Sequence, residues 1–189
     1  MRWTIPNILT VLRIALIPVF MVTYYLPFSW SHLLTTAVFG LAALTDWIDG
    51  YLARRLEQVS PFGAFLDPVA DKLIVAVALI MLVQSNPTLW FVVPASVIVG
   101  REIAISALRE WMAEIGERVR VAVSVIGKIK TIAQMVALLL LLYREDLWGF
   151  PTHDAGVVLL YIAAVLTLWS MFQYLISAWP RLREPDAME

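Results

Sequence analysis

Four aspartates and three small residues fall into one short stretch at spacings that a helix face can use. Asp46, Asp49, Gly50 and Ala53 of TDWIDGYLARR stand at i, i+3, i+4 and i+7. Gly63, Asp67 and Asp71 of GAFLDPVADK follow at four-residue steps, so each set forms a stripe along a helix. Four carboxylates gathered in a partly dry site cannot all stay ionised without compensating cations. The chain has no cysteine and the stretch has no histidine, so an all-oxygen donor set favours a hard cation, Mg²⁺ or Mn²⁺, with Ca²⁺ as a further fit. Two ions would balance four charges, and a pair of ions suits displacement at phosphorus. Gly50, Ala53 and Gly63 leave room for backbone and ligand to approach closely. The bland alternative is a set of carboxylates at a helix end, solvated or paired with Arg54, Arg55 and Lys72. Four acids on matching faces weigh against it, because ionisable groups in apolar spans are functional candidates by default.

The helices that must carry these residues are membrane helices. The chain is 61% hydrophobic over 189 residues, with a mean hydropathy of +0.80. Soluble domains are roughly 45–50% apolar, and this length cannot enclose so large a core. The class is an all-α integral membrane protein. A span needs about 20 mainly apolar residues, and six segments qualify, near 8–26, 32–53, 65–84, 88–110, 121–143 and 155–178. Turn-forming joints such as LPFSWSH, EQVSPFG and QSNPTLW separate them. Pro68 cannot donate to residue 64, so its helix starts near it or bends there. No internal repeat is visible. The expected organisation is one membrane-embedded domain over 1–189, with a short polar cytoplasmic tail at 180–189. The N-terminal segment has Arg13 within it and no small-residue cleavage site, so it reads as a retained first span.

Cation placement orients the bundle. With the N-terminus cytoplasmic, 13 of the 14 Lys and Arg residues lie at the cytoplasmic face and Arg144 alone falls on the other. This predicts six spans with both termini inside. If the second and third helices are antiparallel neighbours joined by a short cytoplasmic loop, the four carboxylates converge at the inner membrane surface. Tyr24, Tyr25, Trp30, Trp90 and Trp148 fall in the outer loops and read as an interfacial belt. The net charge of −1 gives no bulk attraction to nucleic acid.

A second, basic region holds Arg101, Arg109, Arg118, Arg120, Lys128 and Lys130. Arg101 and Arg109 are two helical turns apart and share a face, whereas Lys128 and Lys130 point in different directions on a regular helix. Two readings stand open: orientation bias alone, or an anion site, since arginine binds phosphate oxygens through a planar fork. Arg13 likewise either snorkels inward or reaches the acidic site. Asn7 and Thr10 read as helix-entry caps in preference to ligand contacts. Thr45 is placed to bond a nucleotide or its own helix backbone. His32 and His153 read as loop residues on the far side, and the methionines as core filler.

The run from Asp46 to Asp71 follows D-x2-D-G-x2-A-R-x8-G-x3-D-x3-D without departure, and in this it resembles the CDP-alcohol phosphatidyltransferase family. Eight fixed residues at fixed spacing make the likeness specific. The resemblance implies a dimeric, six-helix bacterial inner-membrane enzyme with its site facing the cytoplasm, which displaces CMP from a CDP-linked lipid by an acceptor hydroxyl. Carried onto this sequence, it implies that Asp46, Asp49, Asp67 and Asp71 bind the metals, with Asp71 also the general base. Gly50, Ala53, Arg54 and Gly63 would line the CDP pocket. PNILTVLRIALIPVF, DPVADKL and REIAISALREW…VAVSVIGKIKTIAQMVA are similar to the bacterial branch of the family that joins CDP-diacylglycerol to sn-glycerol 3-phosphate. That likeness assigns Arg101, Arg109, Lys128 and Lys130 to the acceptor phosphate, with Arg118 a weaker candidate.

The same reaction on serine or inositol phosphate is the runner-up, although uncharged or zwitterionic acceptors need fewer cations. A small cation transporter or channel is the alternative from another class. Such a pathway calls for ionisable residues near the midplane, whereas this sequence gathers its acids at one end.

Overall fold

The protein is described by a computed structural model covering residues 5–55, 61–114 and 125–182. The side chains of Asp49, Gly50, Ala53, Arg54 and Lys128, and all of Arg118 and Arg120, lie outside the described residues. Six helices follow one another: α1 (Ile5–Tyr25), α2 (Ser31–Arg55), α3 (Pro61–Ser85), α4 (Leu89–Glu114), α5 (Val125–Tyr143) and α6 (Thr152–Leu182). No strand occurs among the described residues, as expected of an all-α membrane protein. The six expected segments match the six helices, with ends displaced by a few residues. α3 begins at Pro61 and runs through Pro68. Pro18 and Pro94 likewise sit inside α1 and α4; apolar packing helices tolerate such residues where neighbours satisfy the freed carbonyls.

By length and composition, three stretches suffice to cross a bilayer: Asn7–Tyr25, Leu89–Ala113 and Thr152–Ser177, with a shorter apolar helix at Ile129–Tyr143. α2 and α3 have 25 residues each, about 37 Å at 1.5 Å per residue, and carry the acids.

The helices fall into two compact units. In the first, α1, α2 and α3 pack with the end of α5 from Leu138 and the start of α6 to Gly156. α1 is the central element. Its buried face is Asn7, Thr10, Arg13, Ile17, Phe20 and Tyr24, a three-and-four spacing that places one stripe on one side of a helix. Against α3 this stripe runs parallel: Thr10 meets Asp67 and Tyr24 bonds the Met81 carbonyl, both 57 residues apart in sequence. Against α2 it runs antiparallel, since Arg13 meets Asp46 and, seven residues on, Phe20 meets Phe39 seven residues back. The register brings the Asp-bearing ends of α2 and α3 to the polar end of α1. At the other end, Tyr24 also bonds Ser85 (2.6 Å), and the Arg144 guanidinium sits 4.2 Å from the centre of its ring.

In the second unit, α4 packs with the first part of α5 and the rest of α6. Tyr161 donates to the Trp90 carbonyl (2.7 Å) and Arg101 to Ser170 (2.7 Å), and the Arg109 guanidinium sits 5.4 Å from the centre of the Tyr174 ring. These pairs advance together along both helices, so α4 and α6 run parallel.

Candidate functional site

The first unit assembles the acidic cluster on the N-terminal third of α1. Arg13 has a side chain 1% exposed, and its Nη1 lies 3.0 Å from Asp46 Oδ1 of α2 while donating to Asp71 Oδ1 of α3. One nitrogen therefore joins carboxylates from two helices. The carboxylates themselves are 41% and 44% exposed, so the guanidinium forms a buried floor under an open acidic rim. One turn back, Thr10 donates its hydroxyl to Asp67 Oδ1. Gly63, one turn before Asp67 on the same stripe, is buried. A buried guanidinium without partners would be costly, and carboxylates on both sides remove most of that cost.

This arrangement settles the open choice for Arg13, which reaches the acids. It corrects the reading of Thr10, whose hydroxyl bonds an aspartate across the helix interface instead of capping α1. Thr45 donates to the Ala42 carbonyl of its own helix (2.8 Å). His32 and His153 belong to the first turns of α2 and α6, not to loops; His32 lies 3.3 Å from Glu145.

A divalent ion fits the donor chemistry here. Asp46 and Asp71 present oxygens close enough to share one positive group, and those oxygens are hard ligands open on one side. Among the described residues, no group of three or more acidic or histidine side chains closes round a common point. Of the four expected ligands, Asp46 and Asp71 meet through Arg13, Asp67 sits one turn before Asp71, and the Asp49 side chain falls outside the described residues.

The second unit holds the basic cluster. Arg101 Nη1 (3.1 Å) and Lys130 Nζ (2.5 Å) both donate to Glu102 Oε1. Lys130 is buried, and the Arg101 side chain is mostly so. Arg109 is exposed and packs over Tyr174. Arg101 and Arg109 thus share the face of α4 that meets α6, as their spacing predicts. Glu102 is not among the residues the sequence singles out. A glutamate next to an arginine looks like surface charge, and only the register of α5 on α4 reveals that it ties two cations together. One turn from this network, the Gln134 Oε1 and Thr167 Oγ1 atoms are buried with no hydrogen-bond partner among the described residues.

A family model for CDP-alcohol phosphatidyltransferases matches residues 3–169, and the chain belongs to that family. It is similar to proteins named CDP-diacylglycerol–glycerol-3-phosphate 3-phosphatidyltransferase from three bacteria. The relative in Pseudomonas fluorescens is 57% identical over 186 residues, covering 98% of this chain and 95% of the relative. That in Pectobacterium atrosepticum is 56% identical over 185 residues (98% and 100%). That in Salmonella typhimurium is 54% identical over 178 residues (94% and 96%). Family membership sets the cation-channel alternative aside.

Proposed function

We propose that this protein transfers the phosphatidyl group of CDP-diacylglycerol to sn-glycerol 3-phosphate, giving phosphatidylglycerol phosphate and CMP. The observation that carries the reading is near-full-length identity of 54–57% to relatives named for that reaction. The juxtaposition of Asp46 and Asp71 on one guanidinium supports it, because the acids must gather for the chemistry to run.

The glycerol 3-phosphate hydroxyl oxygen attacks the phosphorus that bears diacylglycerol. The new O–P bond forms as the bond from that phosphorus to the bridging oxygen of the CMP phosphate breaks, and the hydroxyl proton leaves to the Asp71 carboxylate. Asp46, Asp49, Asp67 and Asp71 would hold Mg²⁺ or Mn²⁺, two ions in the reading that balances charge; these supply Lewis acidity to the diphosphate and the leaving phosphate. Gly50, Ala53, Arg54 and Gly63 line the CDP pocket. Arg101 and Arg109, with Lys128 or Lys130, which fall on different faces of the helical α5, hold the acceptor phosphate, which would join Glu102 as an anionic partner of Arg101 and Lys130.

The placement that goes with this reaction is the bacterial inner membrane, six spans with both termini cytoplasmic, the site facing the cytoplasm, and a homodimer. Purified protein with Mg²⁺ or Mn²⁺ is expected to release CMP only when both substrates are present, and EDTA to stop it. Asp67→Asn and Asp71→Asn should each lower turnover by about 10²- to 10⁴-fold, the scale on which loss of acid–base and electrostatic groups is felt. Retained turnover in both variants rejects the assigned site. Release driven better by serine or inositol phosphate than by glycerol 3-phosphate rejects the acceptor.

A further inference from the structure

The acidic cluster already contains a cation of its own. Arg13 projects from a third helix, lies beneath the acids with almost no exposure, and through a single nitrogen donates to Asp71 Oδ1 and pairs with Asp46 Oδ1 at 3.0 Å. A carboxylate oxygen that accepts from Nη1 is a weaker donor to a divalent ion, while its second lone pair and the other oxygen of each aspartate still offer ligand sites. The guanidinium also raises the electrostatic potential at the place where an ion would sit. Both effects weaken ion binding without excluding it.

We propose that Arg13 is a built-in brake on the metal site: it holds Asp46 and Asp71 together, and its charge lowers their affinity for divalent ions. The inference rests on the reading that these aspartates bind metal, and it assigns Arg13 a positioning role. Two consequences of opposite sign follow from one contact. Removing the charge takes away the cation that Asp46 of α2 and Asp71 of α3 share, which destabilises the protein without metal. The same removal deletes a positive charge beside the carboxylates, which tightens metal binding. A residue that merely supported the fold would produce the first effect alone. A residue that helped to bind the ion would produce the first together with weaker uptake.

The test uses the full chain in detergent without substrate, so acceptor identity does not enter. Mn²⁺ is titrated into the wild type, Arg13→Met and Arg13→Lys, with free Mn²⁺ read from its electron paramagnetic resonance signal. Thermal unfolding is recorded in EDTA and in Mn²⁺. Arg13→Met is expected to bind Mn²⁺ more tightly by about 5- to 150-fold, the usual range of a coupling between two ligands of one site. It should also unfold earlier than the wild type in EDTA and recover most of the difference in Mn²⁺. Arg13→Lys keeps the charge but loses the planar fork, so it should bind Mn²⁺ more tightly than the wild type by a smaller factor. Should Arg13→Met fail to fold, the lysine variant decides. Unchanged or weaker Mn²⁺ affinity in the folded variants overturns the proposal while leaving the metal reading intact. A wild type that takes up no Mn²⁺ overturns both.

Discussion

A charged residue inside an apolar helix is informative only when its partner is known, and Arg13 and Glu102 make the point from opposite sides. Each is a single charge bonded by two of the other sign. Arg13 joins two aspartates from different helices, and Glu102 joins Arg101 and Lys130. Removing the central charge of such a trio leaves two like charges facing each other without it, which costs more than the ion pairs contribute. Glu102→Gln is therefore expected to lower stability by about 1–3 kcal/mol, less than a fully buried pair would lose, because the carboxylate keeps some contact with solvent. Thermal unfolding of the substrate-free protein checks this; an unchanged midpoint means the two cations do not depend on Glu102. The aspartate stripe was legible in the sequence because it rests on intra-helix spacing, which primary structure fixes. Partner choice was not. Whether an arginine early in a span snorkels or turns inward, and whether Thr10 caps its own helix or bonds Asp67, depends on which helix lies alongside.

At the scale of elements, the register of α1 decides the site. One face of that helix is polar at its start (Asn7, Thr10, Arg13), apolar in its middle (Ile17, Phe20) and hydroxyl-bearing at its end (Tyr24), and its partners on α2 and α3 match in kind. The six-helix count could be read from hydropathy, and helix ends only approximately, since Pro61 and Pro68 are equally good punctuation until packing chooses between them. Close packing also separates glycines that look alike in sequence. A Cβ at Gly156, near the start of α6, would lie 2.8 Å from Leu141 Cγ and 3.3 Å from Leu140 Cβ, whereas one at Gly100 in α4 meets nothing within 4 Å. Replacing a helical glycine by alanine gains up to about 1 kcal/mol of helix propensity, and forcing a methyl into a filled space costs about 1–3 kcal/mol. Gly100→Ala should thus raise the unfolding midpoint and Gly156→Ala lower it. A raised midpoint for Gly156→Ala would mean that the end of α5 does not pack on the start of α6 as described, and a lowered one for Gly100→Ala that the space beside Gly100 is filled.

For the whole molecule, the proposed orientation rests on the distribution of cations, and the helix order offers a direct way to challenge it. Three helices, α3, α4 and α5, separate the α2–α3 connection from the α5–α6 connection. If each of them spans the bilayer, those two connections lie on opposite sides. The inner assignment of the first follows from Arg54 and Arg55 beside it. The outer assignment of the second follows from its single cation, Arg144, against thirteen on the other side; its tip Leu147–Phe150, with Trp148 99% exposed, suits a membrane–water boundary on either side. The chain has no cysteine, so single introduced thiols report without background. In spheroplasts, a membrane-impermeant maleimide is expected to modify Asp146→Cys at once and Glu57→Cys only after the membrane is permeabilised. The reverse pattern would invert the bundle, moving the aspartates away from the side on which a CDP-linked substrate and glycerol 3-phosphate are proposed to meet. Equal labelling of both before permeabilisation would mean that one of the three intervening helices does not cross, and the six-span arrangement would fall.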